Sequence, residues 1–358
     1  MALALAGTAT ADTLRVATFA APFSRAGPGL LLRDLVQDKD PQITAAVAVI
    51  AHAAPDILLL TEFDYDAAGA AAGALAKLLA RAGADYPYRF ALPPNAGLAT
   101  RLDMDGDGRT GGAGDAQGYG RFFGDGGMLI LSRWPIETDR VRDFSTLAWR
   151  DLPGAVLPQV DGAPFPSAAA QQVQRLAPVG LWAVPVTAPG GSLTLLTLDA
   201  TPPVFDGPED RNGLRNRDEV RFWLLYLDGA FGPPGPAPVV LGNANLDPID
   251  GAGRHEAITA LLADPRLQDP APASAGAALA ADPGQQGNPA LDTVDWPGGA
   301  TGDGPGNLRV SYVLPAANWR VTGAGVFWPA PDSPEAALLG RDGLAAGPHR
   351  LVWVDLRR

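Results

Sequence analysis

The chain contains no cysteine and only three histidines among its 358 residues. Without cysteine there can be no disulfide, no thiolate metal site and no cysteine nucleophile. Of the histidines, His52 and His255 lie inside helical patterns, far in sequence from His349, so a two-histidine site is not easily assembled from them. Lysine is nearly absent as well: Lys39 and Lys77 are the only two, so arginine carries almost all positive charge. The balance is still acidic, with a net charge of −12 and a pI near 4.6. A polyanion or an anionic lipid surface would be approached against a repulsive field, so a nucleic-acid partner is not expected. Nor does any run approach the length of continuous apolar sequence that a membrane span requires. Residues 1–11 form a small apolar stretch ending in Ala-Thr-Ala before Asp12. This matches the cleavage end of a secretory signal, without its basic opening region, and predicts a secreted or periplasmic protein.

Apolar side chains make up 47% of the chain and charged ones 18%, while 43 glycines and 35 prolines provide many turns. Such a composition describes a packed globular chain rather than a solvated disordered one. Short apolar, β-branched runs at 14–20, 57–63, 128–132, 193–198, 239–245, 309–314 and 351–356 read as buried strands. Helical periodicity appears at 42–54, 67–82, 218–227 and 252–262, which gives a mixed α/β order. The Pro/Gly-rich stretches 232–238, 264–287 and 295–306 read as surface loops. Because strand character persists to the last residues, the reading is one large domain over 12–358, closed by its C-terminus.

One loop carries its own chemistry. Asp103, Asp105 and Asp107 alternate through a Gly-containing segment, as in the first half of an EF-hand calcium loop, where alternate residues turn oxygens toward one ion. The bidentate Glu of such loops is missing, since Gly114 stands at its place with Asp115 next. Two readings stay open, a Ca²⁺ site at 103–107 and a plain acidic surface loop.

Eight segments bear on function: R-V-A-T-F at 15–19, L-L-L-T-E-F-D at 58–64, G-M-L-I-L-S-R-W-P at 127–135, T-P-P-V-F-D-G-P-E-D-R-N-G at 201–213, G-N-A-N-L-D-P at 242–248, V-S-Y-V-L-P at 310–315, G-V-F-W-P at 325–329 and H-R-L-V-W at 349–353. Together and in this order they resemble secreted bacterial members of the endonuclease/exonuclease/phosphatase superfamily. The resemblance implies an α/β four-layer sandwich, two packed and mostly antiparallel sheets flanked by helices, with a site where strand ends meet. It also implies a hard cation such as Mg²⁺ or Mn²⁺ held by a Glu, a water-activating Asp, and histidines and an Asn that hold phosphate oxygens.

Carried over by position, three of those groups survive: Glu62 as the metal-binding Glu, Asn245 as the Asn of the G-D-x-N segment, and His349 as the terminal His. Five positions depart. Ala20 stands for a metal-proximal Asn, Asp199 for a phosphate-binding His, Asn243 for the water-activating Asp, Ser311 for a His-orienting Asp, and Gly347-Pro348 for a Ser-Asp pair. Asn243 cannot accept a proton at neutral pH, and Asp199 puts negative charge where a phosphate oxygen would bind. Bland readings stand beside these. Glu62 could be a loop carboxylate, His349 a histidine bonded to backbone at the head of a core strand, and Asp206, Asp210, Arg211 and Asn212 turn-forming residues of a Pro-rich loop.

Three functions follow from these residues. The first is a catalytically impaired or inactive pseudoenzyme with a binding or scaffold role. The second is an active phosphoesterase with a remodelled centre, in which Glu62, Asp199 and Asn245 gather a metal. The third is a calcium-stabilised extracellular structural protein. The sequence names no ligand or protein partner.

Overall fold

Alternation of apolar side chains along the strands sets the architecture of the computed structural model, which describes residues 13–298 and 304–358. The signal-like residues 1–11 lie outside the described residues. In the strand Ile57–Phe63, Ile57 and Leu59 turn into the space between two sheets, while Leu58 and Leu60 turn the other way onto helices. The second sheet does the same. Leu195, Val239, Leu241 and Val313 face the shared interior, and Leu196, Leu198, Val240 and Leu314 face outward.

The first sheet has six strands in the order Arg320–Val326, Val352–Arg357, Leu14–Phe19, Ile57–Phe63, Gly127–Ser132, Tyr88–Phe90. The second has five, ordered Ser311–Pro315, Pro238–Asn243, Gly191–Asp199, Trp182–Ala188, Arg142–Asp143. Each contains one parallel pair, Leu14–Phe19 with Ile57–Phe63 and Gly191–Asp199 with Pro238–Asn243; the other pairs are antiparallel.

Helices Leu30–Gln37, Pro41–Ala53 and Ala70–Arg81 pack on the outer face of the first sheet. Arg211–Leu227 and Glu256–Leu262 cover the second. The four-layer α/β sandwich expected from the sequence is thus the observed fold, with the C-terminal strand paired beside the N-terminal one, Leu14 opposite Leu356. No described helix is long and apolar enough to cross a membrane.

All seven sequence-predicted strands form, with ends displaced by no more than two residues. Two that were missed explain themselves. Trp182–Ala188 carries Pro185 in its interior, a residue that argues against a strand. Arg320–Val326 carries Gly323 and Gly325, the latter lying so close to Trp353 that an added Cβ would meet the indole at 2.8 Å. The helix expected at 218–227 begins seven residues earlier, at Arg211, because its first two turns bury Asn212, Arg215 and Asn216 beside a single leucine, Leu214, and so lack an apolar stripe. Part of the loop expected at 264–287 is the helix Ala275–Leu279, started by the Ser274 hydroxyl accepting from Ala277 N–H at 3.3 Å.

The cavity end of the sandwich depends on one glycine. Gly242, opposite Leu198 in the parallel pair, has φ +137°, and a Cβ there would lie 1.8 Å from the Leu198 carbonyl oxygen. Both the backbone angle and the close approach require glycine. Gly242→Ala is therefore expected to destabilise the fold by roughly 2 kcal/mol or more in urea unfolding. An unchanged midpoint would mean that the two strands are not held this closely.

Candidate active site

At the C-terminal ends of the parallel strands the sandwich opens into a cavity of about 800 Å³. Four of the sequence-predicted positions meet there: Glu62, Asp199, Asn243 and Asn245. Their backbones are built for it. Pairing between Ile57–Phe63 and Gly127–Ser132 slips between Leu60 and Phe63, and within that bulge Glu62 takes φ +60°. Bulges of this kind re-aim a side chain out of the pleat. Asp199 ends its strand directly opposite Asn243, and Asn243 Oδ1 accepts from Asn245 N–H at 3.2 Å. Asn245, at φ +49°, donates its Nδ2 to the Ala200 carbonyl at 2.8 Å. Its amide oxygen is left without a hydrogen bond among the described residues.

The other positions carried over from the resemblance, His349, Ser311, Ala20 and Pro348, do not line the cavity. His349 is buried, its ring edge-on to Trp296 with centroids 5.3 Å apart, and its Nδ1 has no partner among the described residues. Burial, with the Arg350 charge adding to it, pushes its pKa down to about 3, so it is a neutral imidazole inside the protein. Ser311 faces Asn243 across the antiparallel ladder with an unbonded buried hydroxyl. Ala20 is buried just after the first strand, and the Pro348 carbonyl accepts from Asp295 N–H at 3.0 Å. His52 lies in Pro41–Ala53, and His255 heads Glu256–Leu262 with Nδ1 against the Asp247 carbonyl at 2.6 Å. None of the three histidines reaches the cavity.

Sequence reasoning missed the polar face of the helix Arg211–Leu227. Asn212, Arg215, Asn216 and Glu219 recur at helical spacing and are all buried. Asn216 Nδ2 donates to the Thr201 and Ala244 carbonyls at 2.8 and 2.7 Å, joining the segments that follow two strands. Arg215 donates to the carbonyls of Leu176, Gln117 and Arg175, and lies 3.4 Å from Glu219. Glu219 accepts from both the amide and the hydroxyl of Thr201. The signal was present as polar residues at i, i+3, i+4 and i+7, a stripe that sequence reading assigns to solvent. A further wall comes from Ser24 and Asp125, joined by a 2.6 Å hydrogen bond.

The acidic loop borders the same cavity. Carboxylate oxygens of Asp103, Asp105 and Asp115 lie within 4.8 Å of one another. Asp115, one residue beyond the expected position, completes the group, whereas Asp107 is outside it and accepts from Arg109 N–H at 2.7 Å. Asp115 also accepts from Met104 and Gly112 N–H. Arg211 faces this loop, donating to the Met104 carbonyl, with Asp105, Asp206, Glu209 and Asp103 around it.

Charge on the cavity floor is unusual. Burial alone pushes Glu62 up to about 7. Asp199 is raised well above the carboxylate range by burial and then by the charges of Glu62 and Glu219. Neither carboxylate forms an ion pair with a described Lys, Arg or His. Two carboxylates and the Asn245 amide oxygen form a set of hard oxygen donors, which fits a divalent cation of the Mg²⁺, Mn²⁺ or Ca²⁺ type.

A profile of the Endonuclease/Exonuclease/phosphatase family matches residues 30–343. Among solved structures, an endonuclease/exonuclease/phosphatase from Beutenbergia cavernae superposes with a TM-score of 0.54 at 18% identity, covering 96% of this chain and 71% of that one. A sphingomyelinase C from Streptomyces griseocarneus gives 0.47 at 16% identity, covering 96% and 99%. A 3'-5' exonuclease from Neisseria meningitidis gives 0.46 at 15%, covering 96% and 100%. No curated protein matches the chain.

The Glu62 carboxyl makes stability depend on pH in a definite direction. Its folded value of about 7 lies above its ordinary 4.5, so between the two the folded state holds a proton that the unfolded state has released. Stability from this group is present at low pH and is lost as pH rises through that window. In chelator-treated buffer, Glu62→Gln is expected to gain on the parent by about 2 kcal/mol between about pH 5 and about pH 7.5. A pH-independent difference in urea unfolding would mean that Glu62 is solvated and ionised throughout.

Proposed function

The chain belongs to the endonuclease/exonuclease/phosphatase family, and we propose that within it this protein keeps a phosphoesterase-derived cavity that binds its ligand without efficient hydrolysis. The composition of the cavity carries the reading: it has no histidine, an amide at Asn243 where the resemblance places a base, and a buried carboxylate at Asp199 where it places a phosphate contact. A divalent cation bound at Glu62 would supply neutralisation of phosphate charge. The residues around it would supply little else. Asn243 can orient a water by hydrogen bonding and cannot take its proton. Asp199, when ionised, repels an incoming phosphate oxygen by several kcal/mol at close range, for an effective dielectric of about 20. Loss of one general base typically costs about 10²–10⁴ in rate, and here the base and both histidine contacts are missing together.

With Mg²⁺ or Mn²⁺, hydrolysis of DNA and of bis-p-nitrophenyl phosphate is expected to remain at the level of Glu62→Ala. Robust turnover that Glu62→Ala abolishes would replace this reading with an active hydrolase whose centre is rebuilt around Glu62, Asp199 and Asn245.

The convergence of Asp115 on Asp103 and Asp105 favours a second role, calcium stabilisation of the loop at the cavity edge. Export of the chain, for which residues 1–11 are the argument, would expose this loop to millimolar Ca²⁺. An ion bound only by the folded state stabilises it by mass action, so saturating Ca²⁺ is expected to raise the melting temperature by about 2–4 °C. Asp103→Asn with Asp105→Asn should remove the shift; if it survives both changes, the ion binds elsewhere.

A further inference from the structure

We propose that Asp199 is a ligand for a divalent cation, so that this position, a phosphate contact in the resemblance, has become part of the metal centre together with Glu62 and Asn245. The inference rests on the reading of the cavity as a phosphoesterase-derived site, and goes beyond it by assigning Asp199 a task.

Three observations lead there. Asp199 is more than nine-tenths buried at 7% exposure, yet it lines the cavity. It shares the cavity lining with Glu62, whose negative charge acts on it. No arginine, lysine or histidine pairs with either acid, although Arg215 is close enough to serve Glu219 at 3.4 Å. Buried carboxylates are ordinarily paired or bound to metal, because an uncompensated charge in a desolvated site is costly. The arginines lining the cavity are committed: Arg215 to three carbonyls and Glu219, Arg211 to Met104 and the acidic loop, Arg121 to Asp125.

A cation between Glu62 and Asp199 would relieve their repulsion and use the free Asn245 oxygen as a third donor. The amide N–H of Asn245 is held by Ala200, so the oxygen end is the one presented for ligation. Two carboxylates also alter the requirements of the site. They suit a cation that sheds its waters readily, Mn²⁺ or Ca²⁺, better than Mg²⁺, which retains several. A centre with two anionic ligands leaves less positive charge for phosphate, in keeping with binding that has drifted from phosphoester turnover.

The test uses Mn²⁺ as probe, with the full chain carrying Asp103→Asn and Asp105→Asn to silence the acidic loop. Calorimetry should find one Mn²⁺ in this parent. Asp199→Asn should weaken it by about tenfold or more, since loss even of a group that only supports a ligand costs about 10–100-fold. Asp199→Glu, which keeps the carboxylate, should bind more tightly than Asp199→Asn. Equal affinity in the parent and in Asp199→Asn, with binding lost in Glu62→Gln, would overturn the role of Asp199 while leaving Glu62 a metal ligand. A parent that binds no Mn²⁺ would overturn it as well. Robust hydrolysis would count against the binding reading and leave the ligand assignment standing. Should Asp199→Asn fail to fold, carbodiimide labelling of the parent replaces it. Mn²⁺ is then expected to protect Asp199 as it protects Glu62, and labelling of Asp199 that is indifferent to Mn²⁺ would sink the proposal.

Discussion

The cavity exists because one helix buries charge. Arg215, fully enclosed by the helix Arg211–Leu227 and the segments around 117 and 175–176, donates to three main-chain carbonyls and lies beside Glu219, which in turn holds both donors of Thr201. Loops at the end of a sandwich have no ladder to satisfy their backbone groups, and an unsatisfied buried carbonyl costs about as much as a lost hydrogen bond. Arg215 and Asn216 supply the missing donors. Burial pushes Arg215 down only to about 10, so it remains a cation at neutral pH. For Glu219 the same burial acts upward, while Arg215 and the two Thr201 donors act downward. A carboxylate receiving two hydrogen bonds and facing a guanidinium at 3.4 Å is best regarded as ionised, one half of a buried pair.

With Arg215 and Glu219 neutralising each other, the floor of the cavity is left to Glu62 and Asp199. These acids differ from the pair beneath them in one respect: no described arginine, lysine or histidine pairs with them. Their protonation and their ligand are therefore linked, since whatever places positive charge between them favours the ionised forms and whatever does not leaves them protonated. The same arrangement disfavours anions. The three arginines that border the cavity do not alter this. Arg121 is held by Asp125 at 3.4 Å, Arg211 sits among four acids, and Arg215 is spent on carbonyls.

Sequence reading located the layers well because their strands are short apolar, β-branched runs, as in Ile57, Leu58, Leu59 and Leu60, too short for a buried helix. It located Glu62, Asp199, Asn243 and Asn245 through the family resemblance, whose matched segments place each at or near the end of such a strand. It failed where tertiary packing overrode local pattern. Pro185 hid a strand, and the buried polar stripe Asn212–Arg215–Asn216–Glu219 looked like a solvated face, so the start of its helix was lost. Asp115 was one residue beyond the spacing of an EF-hand loop, and only the folded chain shows that the turn at 112–115 brings it back to Asp103 and Asp105. The separation of His349 from the cavity was likewise invisible, because the bridge from Val294 to His349 joins residues 55 apart in the chain.

The backbone around the cavity is tightly constrained. Glu62 at φ +60° occupies a left-handed backbone region that its residue type disfavours, Asn245 at φ +49° lies in the same region, which asparagine tolerates, and Gly242 approaches Leu198 closely. Such conformations cost free energy and persist only where surrounding structure fixes them. Here the fixing contacts are intact: the bulge at Leu60–Phe63, the ladder from Asp199 to Asn243, the bond from Asn245 to Ala200. At these fixed strand ends stand a carboxylate at 199 and an amide at 243. A site whose backbone is held in such positions depends on precise placement of side chains around a ligand. That is a requirement for binding as much as for catalysis.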